Sequence, residues 1–153
     1  METDKKALEP INELIEMNFD HAKALSKVSA DLAALGENDV AIFNGMSIER
    51  HQYATKLEEM VRAAGGDPPY EASMGSDLRR AWMNVKNSFT TDTNIREVLN
   101  ECKHNGEQSL EAYQNALGHI QGLPDEIVNA IKEQEQGVRE ANEAVDKRLQ
   151  QVG

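Results

Sequence analysis

Apolar residues recur along this chain at the three- and four-residue spacing of a helix with one face inward. The first such segment runs from about Lys6 to Ala34, with Ile11, Ile15, Ala22, Leu25 and Leu32 on one stripe. The second runs from about Asp39 to Ala64 and stops at Gly65-Gly66, a pair suited to a helix C-terminus. A shorter segment covers about Ser76 to Phe89, with Leu78, Trp82, Val85 and Phe89 on its apolar side and Ser76 as N-cap. The next long one spans about Thr93 to Ile120, with Ile95, Leu99, Cys102, Ser109, Tyr113, Leu117 and Ile120 on the stripe. After Gly122-Leu123-Pro124, the last runs from about Asp125 to Gln150, with Ile127, Ile131, Val138, Ala141, Val145 and Leu149 inward. Pro124 suits the first turn of that helix, where a missing N–H costs nothing.

The four long segments, each of about 25 residues, span roughly 35 to 40 Å at 1.5 Å per residue. Short loops join the first to the second and the last two to each other, which makes antiparallel neighbours. The stretch "GGDPPYEASMGSD" and the short helix separate the two pairs and are long enough to cross the length of a bundle. The expected fold is therefore all-α: a single ferritin-like four-helix bundle over residues 1–153, with a long crossover holding a short fifth helix.

Composition agrees with this. Aromatic residues make up 5% of the 153 residues, which disfavours sheet. The single cysteine, Cys102, excludes an intrachain disulfide framework and fits a reducing compartment. The N-terminus lacks the apolar core of a signal peptide, and no run reaches the roughly 18 apolar residues of a spanning helix. The expectation is a cytoplasmic protein away from membranes. A net charge of −11 argues against a nucleic-acid partner, whose backbone calls for clustered Lys and Arg.

The stretches "INELIEMNFD", "ERHQYATKLEEMVRAAGGDP", "GSDLRRAWMNVKNSFT", "VLNECKHNGEQSLEAYQNAL" and "LPDEIVNAIKEQ" resemble a bacterial family of ferritin-like proteins of unknown function, over about Leu8 to Leu149. The resemblance implies the bundle and no particular activity. Its wider relatives oxidise or store iron, and they supply the link to stress. It also implies side-by-side association into a homo-oligomer, of unstated number.

A ferritin-like di-iron site draws one Glu from each of two helices and a Glu-x-x-His pair from each of the other two. At 100° per residue, the polar residue on the first inward stripe is Asn18, with Glu13, Glu16 and Asp20 on the far side. In the second segment Glu49 stands where Ile42, Met46, Tyr53, Leu57 and Met60 call for a hydrophobe, Gln52 lies at its flank and His51 points away. In the third long segment Cys102, Gly106 and Ser109 are inward, Glu101 is off the stripe, and His104 and Glu107 face out. In the last, Gln134 is inward, Gly137 is at the flank and Glu133 is off the stripe.

The inward set is thus one carboxylate, two amides and a thiol, with no imidazole. A pair of divalent ions would bring four positive charges to one negative charge in a medium of low dielectric. The expectation is no metal and no cofactor, and a buried polar layer of Asn18, Glu49 and Gln134 at the ancestral metal position. Gln52, Cys102, Tyr53 and Tyr113 flank it, and Arg50 can fold inward from the rim. Rotation of a helix by 60° would bring Glu16, Glu101 or Glu133 toward Glu49. Cys102 reads as a small buried hydrophobe, and the two tyrosines as core residues with bonded hydroxyls. No nucleophile motif, phosphate loop or zinc spacing occurs. The function expected is a non-enzymatic structural or interaction protein with an unidentified protein partner. The alternatives are an iron- or manganese-dependent di-metal oxidoreductase and a DNA-protecting ferritin relative, the latter disfavoured by charge.

Overall fold

The computed structural model describes residues 3–34, 39–69 and 94–152. Four helices account for most of them: α1 (Lys5–Ala34), α2 (Val40–Ala63), α3 (Asn94–Leu117) and α4 (Asp125–Val152). No strand occurs among the described residues. The short helix expected over residues 76–89, with Trp82 and Phe89, lies outside them.

Local chemistry sets the helix ends. The Asp4 carboxylate accepts from the Lys6 N–H, and its carbonyl from the Ala7 N–H, which caps α1. At the end of α2, Gly65 N–H donates to the Arg62 carbonyl and Gly66 N–H to the Val61 carbonyl. Gly65 has φ of 89°, so this is a Schellman turn that a Cβ would strain. Gly118 N–H and His119 N–H close α3 by bonding back to the carbonyls of Gln114 and Ala116. Helix α3 therefore stops at Leu117, three residues before the expected end, and Ile120 is 37% exposed instead of inward.

Helix α1 packs chiefly on α2 and α3 chiefly on α4, with lighter α1–α3 and α2–α4 contacts closing a square. The apolar core falls into two clusters. One joins Leu8 to Phe19 of α1, Ala54 to Val61 of α2, Tyr113 and Ala116 of α3, and Ile127 to Val138 of α4. The other joins Ala24 to Leu32, Phe43, Val98 to Cys102 and Val145. Their order along each helix gives the directions: α1 and α4 run one way, α2 and α3 the other. Helix α2 consequently ends at the opposite end of the bundle from where α3 begins.

Asp39 anchors the end held by the second cluster. Its carboxylate is buried and takes two hydrogen bonds from Arg148 of α4, at 2.5 and 3.1 Å, a bidentate pair that ties the start of α2 to the last turns of α4. Lower down, the Ser47 hydroxyl donates to the Ala22 carbonyl at 2.7 Å, so small side chains bring α1 and α2 close.

Candidate functional site: a polar layer at mid-bundle

Toward the inner edge of the first apolar cluster, every helix contributes a buried polar side chain. The buried residues of α2 are Phe43, Ser47, Arg50, Ala54, Leu57 and Val61, at alternating four- and three-residue steps. This places the inward stripe of α2 one residue beyond the expected one. Ile42, Met46, Tyr53 and Met60 flank it, half-buried, and so does Glu49. The core position at this level belongs to Arg50, which is 3% exposed.

The hydrogen bonds form a closed ring around the bundle. Arg50 Nη1 donates to Asn18 Oδ1 at 3.0 Å. Asn18 Nδ2 donates to the Tyr113 hydroxyl at 2.8 Å and to its own helix at the Leu14 carbonyl. The Tyr113 hydroxyl donates to Gln134 Oε1 at 2.7 Å, and Gln134 Nε2 reaches the Tyr53 carbonyl at 3.3 Å. The path runs α2, α1, α3, α4 and back to α2, so all four helices are tied at one height.

Of the residues singled out in the sequence, Asn18, Gln134 and Tyr113 meet here. Glu49 stands beside the ring and accepts a 2.6 Å hydrogen bond from the Tyr53 hydroxyl. Gly137 of α4 provides the room for that pair, since a Cβ there would lie 1.9 Å from the Tyr53 hydroxyl oxygen and 3.3 Å from Glu49 Oε1. Gln52 is exposed. Cys102 is buried one turn above Asn105 on α3. Glu16 and Glu133 are exposed and Glu101 is half-buried.

Three members of the layer went unrecognised in the sequence. His21 is buried, against the expectation of no inward imidazole, and Asn105 is buried beside Gly106. Asn142 of α4 sits against Gly106, where a Cβ would come within 2.0 Å of its Oδ1. A signal existed for this last pair: a glycine inside a helix, away from either end, marks close approach by a neighbour.

Burial dominates the electrostatics. It pushes the Tyr113 hydroxyl and the Cys102 thiol each up to about 12, in both cases against the pull of the Arg50 cation. Cys102 is therefore a thiol at neutral pH, inert as a nucleophile. Burial, with the Glu49 hydrogen bond second, raises Tyr53 as well. Burial first and the Arg50 charge second hold His21 well below the usual imidazole range, so it is neutral at pH 7. Arg50 remains charged despite the lowering that burial imposes.

The His21 shift has a defined consequence for stability. A base whose folded pKa is depressed binds its proton more readily in the unfolded chain. Its contribution is complete above the unfolded value, near pH 6.5, and is lost progressively as the pH falls below it. Between pH 7.5 and 5.5 the loss approaches about 1.4 kcal/mol. His21→Gln is expected to flatten this part of the profile, measured by urea unfolding at pH 7.5 and 5.5. An unchanged slope in the variant would assign the pH dependence to other groups.

Metal-holding chemistry does not fit this layer. Among the described residues, no group of three or more His, Cys, Asp or Glu side chains converges as a cation site. The buried charge of this layer is itself a cation, and the half-buried Glu49 carboxylate flanking it is engaged by a tyrosine. No described helix is long and apolar enough to cross a membrane.

No curated protein matches the chain. Residues 6–119, covering α1, α2 and α3 with the segment between them, match the family described as Domain of unknown function (DUF2383), and the chain belongs to it.

Proposed function

We propose that this chain is a non-enzymatic, ferritin-like bundle that acts as a structural or interaction protein, with its metal layer replaced by a polar lock. The single observation behind this reading is Arg50. A buried guanidinium at mid-height, bonded to Asn18, supplies positive charge where a di-iron bundle would supply four Glu and two His to two cations. A divalent ion beside it would meet repulsion in a medium that screens poorly. The directions of the four helices support a ferritin-like connection within a single domain, since α2 ends at the opposite end of the bundle from where α3 begins. In this reading the acidic outer faces keep the protein soluble in the cytoplasm and off nucleic acids, and its partner is another protein or another copy of itself.

The test is metal content. After anaerobic reconstitution with iron(II) or manganese(II) and desalting, wild type and Glu49→Gln are both expected to retain less than 0.1 ion per chain, about the background of the method, as a cationic layer with one half-buried carboxylate requires. Two ions per chain in the wild type, lost in Glu49→Gln, would overturn the reading in favour of a di-metal oxidoreductase.

A further inference from the structure

Helix α2 carries an outer face with the composition of an interface. Its exposed residues between 41 and 52 are Ala41, Asn44, Gly45, Ile48, His51 and Gln52. None is Asp, Glu, Lys or Arg, in a chain of which 28% is charged. Depletion of charge distinguishes the core of an interface from ordinary surface. Ile48 is 52% exposed, the more exposed of the two large hydrophobics left uncovered among the described residues.

Gly45 stands one turn before Ile48 on the same face. Glycine weakens a helix interior, and its usual reason there is the close approach of a neighbour. Gly106 and Gly137 have such neighbours in Asn142 and Tyr53. At Gly45, among the described residues, nothing lies within 4 Å of where a Cβ would stand. The room it leaves opens outward.

Beside this face, α1 and α2 enclose a groove of about 420 Å³. Ala22 and Ser47, both buried, form its floor, and Ser26, Ile48 and His51 line its rim. The Ser47–Ala22 hydrogen bond fixes the height at which the two helices meet. Charge changes sign about that height. Glu16 and Lys27 of α1 are both exposed and lie on either side of Ala22. Eleven residues are about three helical turns, so the two share one face. Lys23, between them on that face, lines the groove.

We propose, resting on the reading of this chain as an interaction protein, that the groove and the uncharged face of α2 are the surface on which two copies of the chain pair, antiparallel about a two-fold axis at the height of Ala22 and Ile48. A two-fold axis sets one patch against itself, reversed. Ile48 then meets the partner's Ile48, Gly45 admits the partner's His51, and Glu16 faces the partner's Lys27 at both ends of the contact. Pairing with the helices parallel would set Glu16 against the partner's Glu16 and Lys27 against the partner's Lys27, a repulsion at each end. A charge pattern that complements its own reverse is what a second copy requires and a different partner does not.

Sedimentation equilibrium of the full chain is the test, at low ionic strength, where surface charges are least screened. The wild type is expected to dimerise. Ile48→Asp and Gly45→Glu each place a charge on the uncharged face. Both are expected to weaken the dimer at least about tenfold, with helical circular dichroism unchanged. Glu16→Lys alone is expected to weaken it about threefold or more, and Glu16→Lys combined with Lys27→Glu to restore it. A monomeric wild type would overturn the proposal. So would a dimer indifferent to Ile48→Asp and Gly45→Glu, or a charge swap that fails to restore association. These outcomes are separate from those of the metal test. A metal-free monomer overturns this surface and not the interaction-protein reading, whereas a dimer holding two ions per chain overturns that reading and not this surface.

Discussion

Tyr113→Phe is expected to destabilise the protein by about 3 kcal/mol, although it removes a single oxygen atom. Tyr113 is fully buried, and its hydroxyl both accepts from Asn18 Nδ2 and donates to Gln134 Oε1. Removing it leaves Gln134 Oε1 without a donor in the core. Asn18 Nδ2 keeps the Leu14 carbonyl and suffers less. Each stranded buried group costs about 1–3 kcal/mol. The ring itself would open at both of its crossings through α3, so the cost should exceed that of one lost pair. Urea unfolding of the two proteins measures it. A difference under about 1 kcal/mol would mean that the ring contributes no more than an ordinary hydrogen bond. Restoration of stability in the double variant Tyr113→Phe, Gln134→Leu would show that the cost lies in the stranded amide.

The second large effect is expected at Asp39. Its carboxylate is 5% exposed, while Arg148 is 30% exposed. Breaking a fully buried pair costs about 3–5 kcal/mol because one charge stays behind without solvent. Here the residue left behind can turn toward water, so Asp39→Ala is expected to cost about 2–3 kcal/mol, below that range. The aspartate also places a negative charge at the start of α2, where the helix dipole favours it. A double-mutant cycle with Arg148→Met separates the two contributions. A coupling above about 1 kcal/mol assigns the effect to the bidentate pair. A coupling near zero would reduce the pair to the level of an exposed salt bridge.

Most of the helical architecture was legible because its signals are long and periodic. The stripe of α1, at Ile11, Ile15, Ala22, Leu25 and Leu32, is buried throughout. Helix α2 misled for a physical reason. Its inward seam carries Ser47, Arg50 and Ala54, two of them small and one charged, whereas its flank carries Ile42, Met46, Tyr53 and Met60. Hydrophobicity alone therefore pointed about 100° away from the true core and put Glu49 where Arg50 stands. The four-three spacing from Phe43 to Val61 was the better guide, since small residues let helices approach closely and need no hydrophobic weight. At the candidate site, Asn18, Gln134 and Tyr113 were readable because each interrupts an apolar stripe. His21 was not, because it sits one residue from Ala22 at the edge of its stripe, where a small rotation decides between core and solvent. The end of α3 was missed by three residues because the Gly118 turn outweighs the apolar character of Ile120.

The closed ring has a consequence for how the chain assembles. Helices α1 and α2 form one local hairpin and α3 and α4 another, and each can collapse on its own apolar face before meeting its counterpart. Apolar seams alone tolerate sliding, because a leucine is nearly as content one turn up as one turn down. The ring is not so tolerant: Asn18 and Arg50 arrive on one hairpin, Tyr113 and Gln134 on the other. Docked one turn out of step, all four would face hydrocarbon, and the mismatched encounter would dissociate and try again. The polar layer is thus a proofreading device of assembly, which accepts a single alignment of two prefabricated halves.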